Sequence, residues 1–286
     1  MNVAITGASG FVGRALSERL RASGHGVTAI SLRTQPPPEV FAGCHAVVNL
    51  AGEPVAQRWT AAARERISDS RIQGTRSLVA ALRQHPPSVL VSASAVGYYG
   101  SRGDEILTED SAPSSDFLGQ LAFGWEQEAH AAEQLGVRVV TPRIGVVLGR
   151  GGGALAQMLL PFRLGVGGRL GTGKQWMSWI ALDDLVSLIE FAITDAALSG
   201  PVNAVAPNPV TNAAFTRELA VVLHRPAILP VPAFALKILF GEMSEILLGG
   251  QRVIPQAALR AGFQFRCTTL GEALRAALAP NRSNRA

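Results

Sequence analysis

The first twenty residues, MNVAITGASGFVGRALSERL, constrain the fold more than any other stretch of the chain. An apolar run typical of a β-strand leads into a Gly-x-x-Gly-x-x-Gly turn, and an amphipathic helix follows. In such a turn the first glycine permits a tight bend, the second lets the backbone approach a pyrophosphate, and the third lets the helix pack on the strand. Backbone N–H groups at the helix N-terminus then bind the anion. The pattern predicts dinucleotide binding through Gly7, Ser9, Gly10, Phe11, Val12 and Gly13.

The end of the second predicted strand indicates which dinucleotide is bound. An acidic residue at this place usually holds the ribose 2′-hydroxyl of NAD. This chain reads AISLRTQ there, with Ser31 and Arg33 and no carboxylate nearby. An arginine pairs well with a 2′-phosphate, and a serine hydroxyl can join it. We therefore predict NADP rather than NAD as the cofactor.

Short apolar runs and longer helical stretches alternate along the chain. Candidate strands are Val3–Thr6, Val27–Leu32, Ala46–Leu50, Val89–Ser92, Val137–Thr141 and Val202–Ala204, and candidate helices are Phe11–Ala22, Thr60–Arg83, Phe117–Leu135 and Leu182–Thr194. This alternation predicts an α/β fold with a Rossmann-type, doubly wound parallel sheet covered by helices on both faces.

The pattern changes after about Gly149, where a glycine-rich stretch surrounds one apolar helix and short, proline-punctuated helices follow. We predict that residues 1–150, with a return segment at about 177–210, form the NADP-binding Rossmann domain. Residues 151–176 and 211–286 are expected to form a small, mainly helical substrate-side lobe over the carboxyl edge of the sheet. The last residues, 279–286, are expected to fray.

Composition excludes several classes of protein. No apolar run reaches the roughly 18 residues that a membrane span needs, so we expect no membrane partner. Glycines break up the apolar core that a secretory signal would need at the N-terminus, so we expect no such signal there. Cys44 and Cys267 are the only cysteines, which favours a reducing, cytoplasmic location. The net charge of +5 comes from scattered arginines, so we expect no nucleic-acid partner. The five histidines lack metal-ligand spacing, so we expect no metal site, and both a monomer and a homodimer stay open.

Motifs along the chain resemble the extended short-chain dehydrogenase/reductase superfamily: GASGFVG, VVNLAG, SRIQGTRSLVAAL, LVSASAVGYYG and TPRIGVVLG. A narrower resemblance, carried by LAGEPVAQRW, FGWEQEA and GEMSEILLGGQRVIPQAALRAGFQF, is to its atypical "epimerase family protein" branch, labelled NAD-dependent epimerase/dehydratase. That branch has a small C-terminal domain of unknown function. The resemblance implies further cofactor contacts by Leu50, Ala51, Gly52, Arg71, Ser92, Pro142 and Ile144. For Arg71 the alternative is a helix-surface arginine that pairs with Asp69 or Glu65.

One hallmark of the superfamily is missing, because most of its enzymes use a Tyr-x-x-x-Lys pair to move a proton. Phe117 and Leu121 stand where the resemblance would place that tyrosine and lysine. The only tyrosines, Tyr98 and Tyr99, are followed four residues later by Arg102 and Gly103. No Tyr-x-x-x-Lys spacing exists in this sequence.

Two functions therefore stay open. In the first, the protein is an NADP-dependent oxidoreductase or epimerase that acts on an unidentified small molecule. Ser94, at the end of a strand, and Tyr99, in the following loop, are then the candidate catalytic residues. In the second, it is a non-catalytic NADPH-binding regulatory or scaffold protein, and the tyrosines are an aromatic cover over the pocket.

Overall fold

The computed structural model describes residues 1–279. Its strands are β1 Asn2–Thr6, β2 Gly26–Ile30, β3 Ala46–Asn49, β4 Val89–Ser92, β5 Ser94–Ala95, β6 Ile106–Leu107, β7 Arg138–Ile144, β8 Val146–Leu148, β9 Trp176–Met177, β10 Trp179–Ala181, β11 Gly200–Ala204, β12 Val210–Thr211 and β13 Arg252–Val253. Its α-helices are α1 Phe11–Ala22, α2 Ala61–Ala81, α3 Phe117–His130, α4 Gly153–Arg163, α5 Leu182–Thr194, α6 Asn212–Leu223, α7 Ala233–Phe240, α8 Ser244–Leu248, α9 Gln256–Arg260 and α10 Leu270–Leu278.

The main sheet is parallel and has the order β2-β1-β3-β4-β7-β11, with β5 paired to β7. From β1 the chain first moves to β2 on one side and then to β3 on the other. The strand order therefore reverses between β1 and β3, and open α/β sheets bind ligands outside the carboxyl ends of the strands at such a switch point. The predicted doubly wound fold is confirmed.

Apolar side chains alternate between the two faces of the sheet, as the two-residue period of a strand requires. Val3 and Ile5 of β1 pack with α1 and α5, whereas Ala4 packs with α2 and α3 on the opposite face. Both layers of helices are thus attached to fully buried strands, which hold the carboxyl edge of the sheet in a fixed shape.

The predicted elements agree closely with this architecture. The bounds of α1, α5 and β4 are those expected from sequence, and the other predicted elements differ mainly at their ends. The second strand ends at Ile30 rather than at Leu32, and α3 ends at His130, beyond which residues 131–135 form a 3₁₀ helix.

A separate apolar core joins α4, α6 and α10 to β8 and β10. Within the predicted lobe, however, Ala258 and Phe263 pack into the main core instead. We keep the division into domain and lobe as a proposal. Within residues 1–279, the helices are too short or too polar to cross a membrane. The fraying predicted for 279–286 falls almost wholly on residues 280–286, which lie outside the described residues.

Candidate cofactor-binding and active site

The glycine turn follows β1 directly and lies beside the end of β3. Gly7 has φ 69°, and a Cβ there would lie 2.6 Å from the Leu50 carbonyl group. A Cβ on Gly13 would collide with the carbonyl oxygen of Gly7. Gly10 donates its N–H to that same oxygen at 2.9 Å and is itself exposed. Helix α1 begins here with no side-chain cap and no acidic residue in its first turn. The glycine turn of residues 7–13 therefore forms a cradle that leaves no room for side chains and is open to an anion.

Residues on either side of the cradle hold it against the rest of the protein. Phe11 packs on the glycine-rich segment 149–153, where a Cβ on Gly149 would lie 2.9 Å from its ring. Val12 is partly buried against the main core, and Ser9 is exposed. The loop is thus fixed in place while its outer surface stays accessible.

The end of β2 carries the two residues that predict NADP. Ser31 and Arg33 are both exposed, and the Arg33 N–H donates to Ser31 Oγ at 3.2 Å. Among residues 1–279, the Arg33 guanidinium has no hydrogen-bond or ion-pair partner. The Arg33 guanidinium is therefore an unpaired cation beyond the end of β2, the strand next to β1 and its glycine turn.

Arg71 of α2 reaches over the end of β3. Its Nη1 donates to the carbonyl oxygens of Glu53 and Ile67 at 3.0 and 3.2 Å, and its guanidinium lies 5.1 Å from the Trp125 ring. A Cβ on Gly52 would lie 3.0 Å from Arg71 Cζ, so the guanidinium packs closely on this glycine. Burial lowers the pKa of Arg71 to about 10, which still leaves it charged at neutral pH. The surface pairing with Asp69 or Glu65 is wrong, because Arg71 instead turns inward to these carbonyl groups.

A buried polar network ties the strand ends together beneath the cradle. Asn49 accepts from Thr6 Oγ1 at 2.7 Å and donates to Thr75 Oγ1 and Ser92 Oγ at 2.9 and 3.1 Å. Trp125 Nε1 also donates to Thr75 Oγ1, at 2.9 Å. Ser92, a predicted cofactor contact, is fully buried in this network. Its side chain fixes the positions of β3 and β4 relative to each other.

Ser94 lies beyond the end of β4 and donates its hydroxyl proton to Glu126 Oε1 at 2.6 Å. Arg143 holds the same carboxylate with two hydrogen bonds, from Nε at 2.8 Å and from Nη2 at 2.9 Å. The three residues are 3–5% exposed. Burial alone would lower the pKa of Arg143, but the hydrogen bonds and charge of Glu126 raise it. A paired carboxylate thus lies directly behind the predicted catalytic serine.

Tyr99, the other candidate catalytic residue, is buried inside the protein and does not lie in an open loop over the site. It has no exposed surface, and its hydroxyl accepts from Arg143 Nη1 at 2.9 Å and donates to Asn203 Oδ1 at 2.6 Å. Burial raises its pKa to about 12. Tyr98 stacks under the Arg143 guanidinium, whose Cζ lies 3.5 Å from the ring centre. In this conformation both tyrosines clamp Arg143 instead of covering an open pocket.

Hydrophobic residues occupy the place that the resemblance assigns to the proton-transferring pair. Phe117 and Leu121 belong to one apolar cluster with Trp59 and with Met243, which lies between α7 and α8. The rings of Phe117 and Trp59 meet edge-on with their centres 5.3 Å apart. The side chains of Phe117 and Leu121 cannot transfer a proton.

The last two predicted cofactor contacts lie on β7. Pro142 is buried within the strand, and Ile144 is half-buried at its end, beside Ala95. Ile144 therefore lies at the same sheet edge as Ser94.

Sequence reasoning missed Glu126, Arg143 and Asn203. A signal was available, because a charged residue within the buried strand RVVTPRI must have a partner. Among residues 1–279, no group of three or more His, Cys, Asp or Glu side chains could hold a metal ion.

Comparisons with known proteins agree with this architecture. Residues 3–205 match the model of the NAD dependent epimerase/dehydratase family, and residues 231–277 match a domain of unknown function (DUF1731). An epimerase family protein of Mycobacterium bovis is 44% identical over 95% of this chain and 96% of its own length. The chloroplastic SDR39U1 homologue of Arabidopsis thaliana is 42% identical over 96% of this chain and 86% of its own.

A solved structure adds a direct comparison of the fold. The crystal structure of human epimerase family protein SDR39U1 with NADPH has a TM-score of 0.89 and 38% identity, and the match covers 97% of this chain and 99% of that chain.

Proposed function

Because this chain belongs to the NAD dependent epimerase/dehydratase family, we propose that it binds NADP(H) and acts as an oxidoreductase or epimerase on a small molecule. The observation that carries the proposal is the glycine cradle at the β1/β3 switch point, with the free Arg33 guanidinium one strand away. The presence of NADPH in the crystal structure of the human relative supports the same cofactor.

In this proposal each part of the cofactor meets a suitable group. The N–H groups at the start of α1 hold the pyrophosphate, and Arg33 with Ser31 holds the 2′-phosphate. Arg71 adds a positive charge over the end of β3, near Leu50 and Ala51. Pro142 and Ile144 lie at the nicotinamide end, and Ser92 acts by holding the strand ends.

When bound, the nicotinamide supplies a hydride donor or acceptor, so the chain must handle the matching proton. We assign this step to Ser94 and Glu126. A substrate hydroxyl gives its proton to Ser94 Oγ while Ser94 passes its own proton to the Glu126 carboxylate, and reduction reverses both transfers. The 2.6 Å hydrogen bond already has the polarity that this relay requires. Tyr99 stays a second predicted catalytic residue, although Ser94 alone of the two has any exposed surface.

A second function, NADPH binding without catalysis, is favoured by a different observation. Phe117 and Leu121 form an apolar contact with Trp59 and Met243, where the family's proton relay would lie. A protein that only reports the cofactor needs the cradle but no relay.

Cofactor choice is tested by fluorescence titration of NADPH and NADH. Arg33→Ala should weaken NADPH binding about 10- to 100-fold, because it removes a charge-assisted hydrogen bond to the 2′-phosphate. It should leave NADH binding unchanged. Arg83→Ala, a matched change of an exposed arginine just beyond the end of α2, should leave both unchanged. Equal affinity of the wild type for NADPH and NADH would contradict the assignment.

Turnover is tested separately, with NADPH and a panel of sugars, ketones and quinones. Turnover that Ser94→Ala abolishes, with NADPH affinity retained, is the expected result. Tight NADPH binding with no turnover across the panel would instead favour the non-catalytic function.

A further inference from the structure

Helix α7 and the segment before it expose large apolar side chains. Phe234 and Ile238, one helical turn apart, are 68% and 78% exposed, and Leu239 is 68% exposed. Ile228 and Leu229, which precede the helix, are 82% and 62% exposed. A helix that packs only into the protein would bury its apolar face, so this face is without a partner among residues 1–279.

The end of α4 extends the same surface. Leu160, Leu164 and Val166 are 64%, 68% and 54% exposed. The segment that follows them lies against the segment before α7, because the Val231 N–H donates to the Arg169 carbonyl oxygen at 2.8 Å. We call the eight exposed apolar side chains of 160–166 and 228–239 the apolar patch.

The apolar patch is large for a protein surface. A large apolar side chain at this exposure presents on the order of 100 Å², so the patch presents about 800 Å². The largest apolar patches of typical monomers are about 300–600 Å² and are often functional. Its size alone indicates that something covers it.

The two stretches of chain that contain the patch carry only positive charges. No Asp or Glu occurs in 134–182 or in 219–241, the stretches that contain the patch. The exposed cations of these stretches include Arg163, Arg225 and Lys237, which make no ion pair within residues 1–279. The first carboxylate after α7, that of Glu242, is paired with Arg64.

A second copy of the chain would bring like charges together around the patch, whereas an anionic surface with an apolar interior matches both its features. We propose that the apolar patch docks on an anionic lipid bilayer. Phe234 and Ile238 enter the boundary between headgroups and acyl chains, and Arg225 and Lys237 contact lipid phosphates. The sequence-based expectation of no membrane partner depends on the length of apolar runs, and this contact involves one leaflet only.

Vesicle flotation with the full chain tests the proposal. The protein should float with an equal mixture of phosphatidylcholine and phosphatidylglycerol, should float far less with phosphatidylcholine alone, and should be released by added salt. Phe234→Ser with Ile238→Ser should weaken binding by at least about tenfold while NADPH affinity and circular dichroism stay unchanged. Leu259→Ser, at a residue 49% exposed on α9, is the matched control and should bind as the wild type does.

Three results would overturn the proposal. One is no flotation with either vesicle, which would point to a protein partner of acidic character. Another is equal flotation with neutral and anionic vesicles. The third is a dimer in light scattering that the Phe234→Ser/Ile238→Ser variant abolishes, without vesicle binding by the wild type, which would make the patch an interface between copies.

Discussion

Replacement of Glu126 by glutamine should destabilise the protein severely. Glutamine keeps the size of the side chain and an oxygen that accepts from Ser94, so the main change is the lost charge opposite Arg143. Arg143 is 3% exposed and would be left as an uncompensated buried cation. Breaking one partner of such a pair costs about 3–5 kcal/mol. For a chain of this size, at about 2–3 °C per kcal/mol, the melting temperature should fall by about 6–15 °C.

The assay compares Glu126→Gln with Glu128→Gln in urea and thermal unfolding. Glu128 is on the same helix and pairs with Arg76, whose side chain is 57% exposed, so its loss should cost less than about 1 kcal/mol. Replacing both partners, as Glu126→Leu with Arg143→Met, should be less harmful than Glu126→Leu alone, because no buried charge remains. If Glu126→Gln costs no more than Glu128→Gln, the buried network does not stabilise the fold as argued.

Two further predictions concern the buried Tyr99 and the inward-turned Arg71. The pKa of Tyr99 is raised to about 12 by burial, so its contribution to stability is full below the unfolded pKa of 10.0 and declines as pH rises towards 12. The stability difference between wild type and Tyr99→Phe, measured by urea unfolding, should therefore shrink by about 1.4 kcal/mol between about pH 9 and pH 11, and a constant difference would contradict the burial. Arg71→Met should weaken NADPH and NADH binding by the same factor of about ten, unlike Arg33→Ala, and an effect on NADPH alone would show that Arg71 reads the 2′-phosphate.

The sequence predicted the parts of the site that depend on local backbone geometry. A strand, a glycine turn and a helix are contiguous in the chain, so the cradle around Gly7 and Gly13 could be inferred without knowing the rest of the fold. The two residues that indicate NADP could be inferred in the same way, because Ser31 and Arg33 follow closely after β2 in the sequence.

The buried network could not be predicted in the same way. Glu126 and Arg143 lie on different elements, and although a charge within the buried strand β7 indicates that Arg143 has a partner, the sequence does not show which residue that partner is. Only the packing of α3 on β7 brings them together behind Ser94. Tyr99 was named as a candidate catalytic residue because it follows a strand end, but the 3₁₀ helix of residues 96–99 turns its hydroxyl towards Asn203 on the edge strand.

Calorimetric titration with NADPH tests the central claim most directly. The wild type should bind NADPH, and Gly13→Ala should bind at least about tenfold more weakly, because the added Cβ would collide with the Gly7 carbonyl oxygen. Gly74→Ala, on α2, adds the same methyl group with neighbours no closer than 4.0 Å and should bind as the wild type does. No heat with the wild type, or equal binding by Gly13→Ala, would contradict a phosphate-binding cradle at this turn.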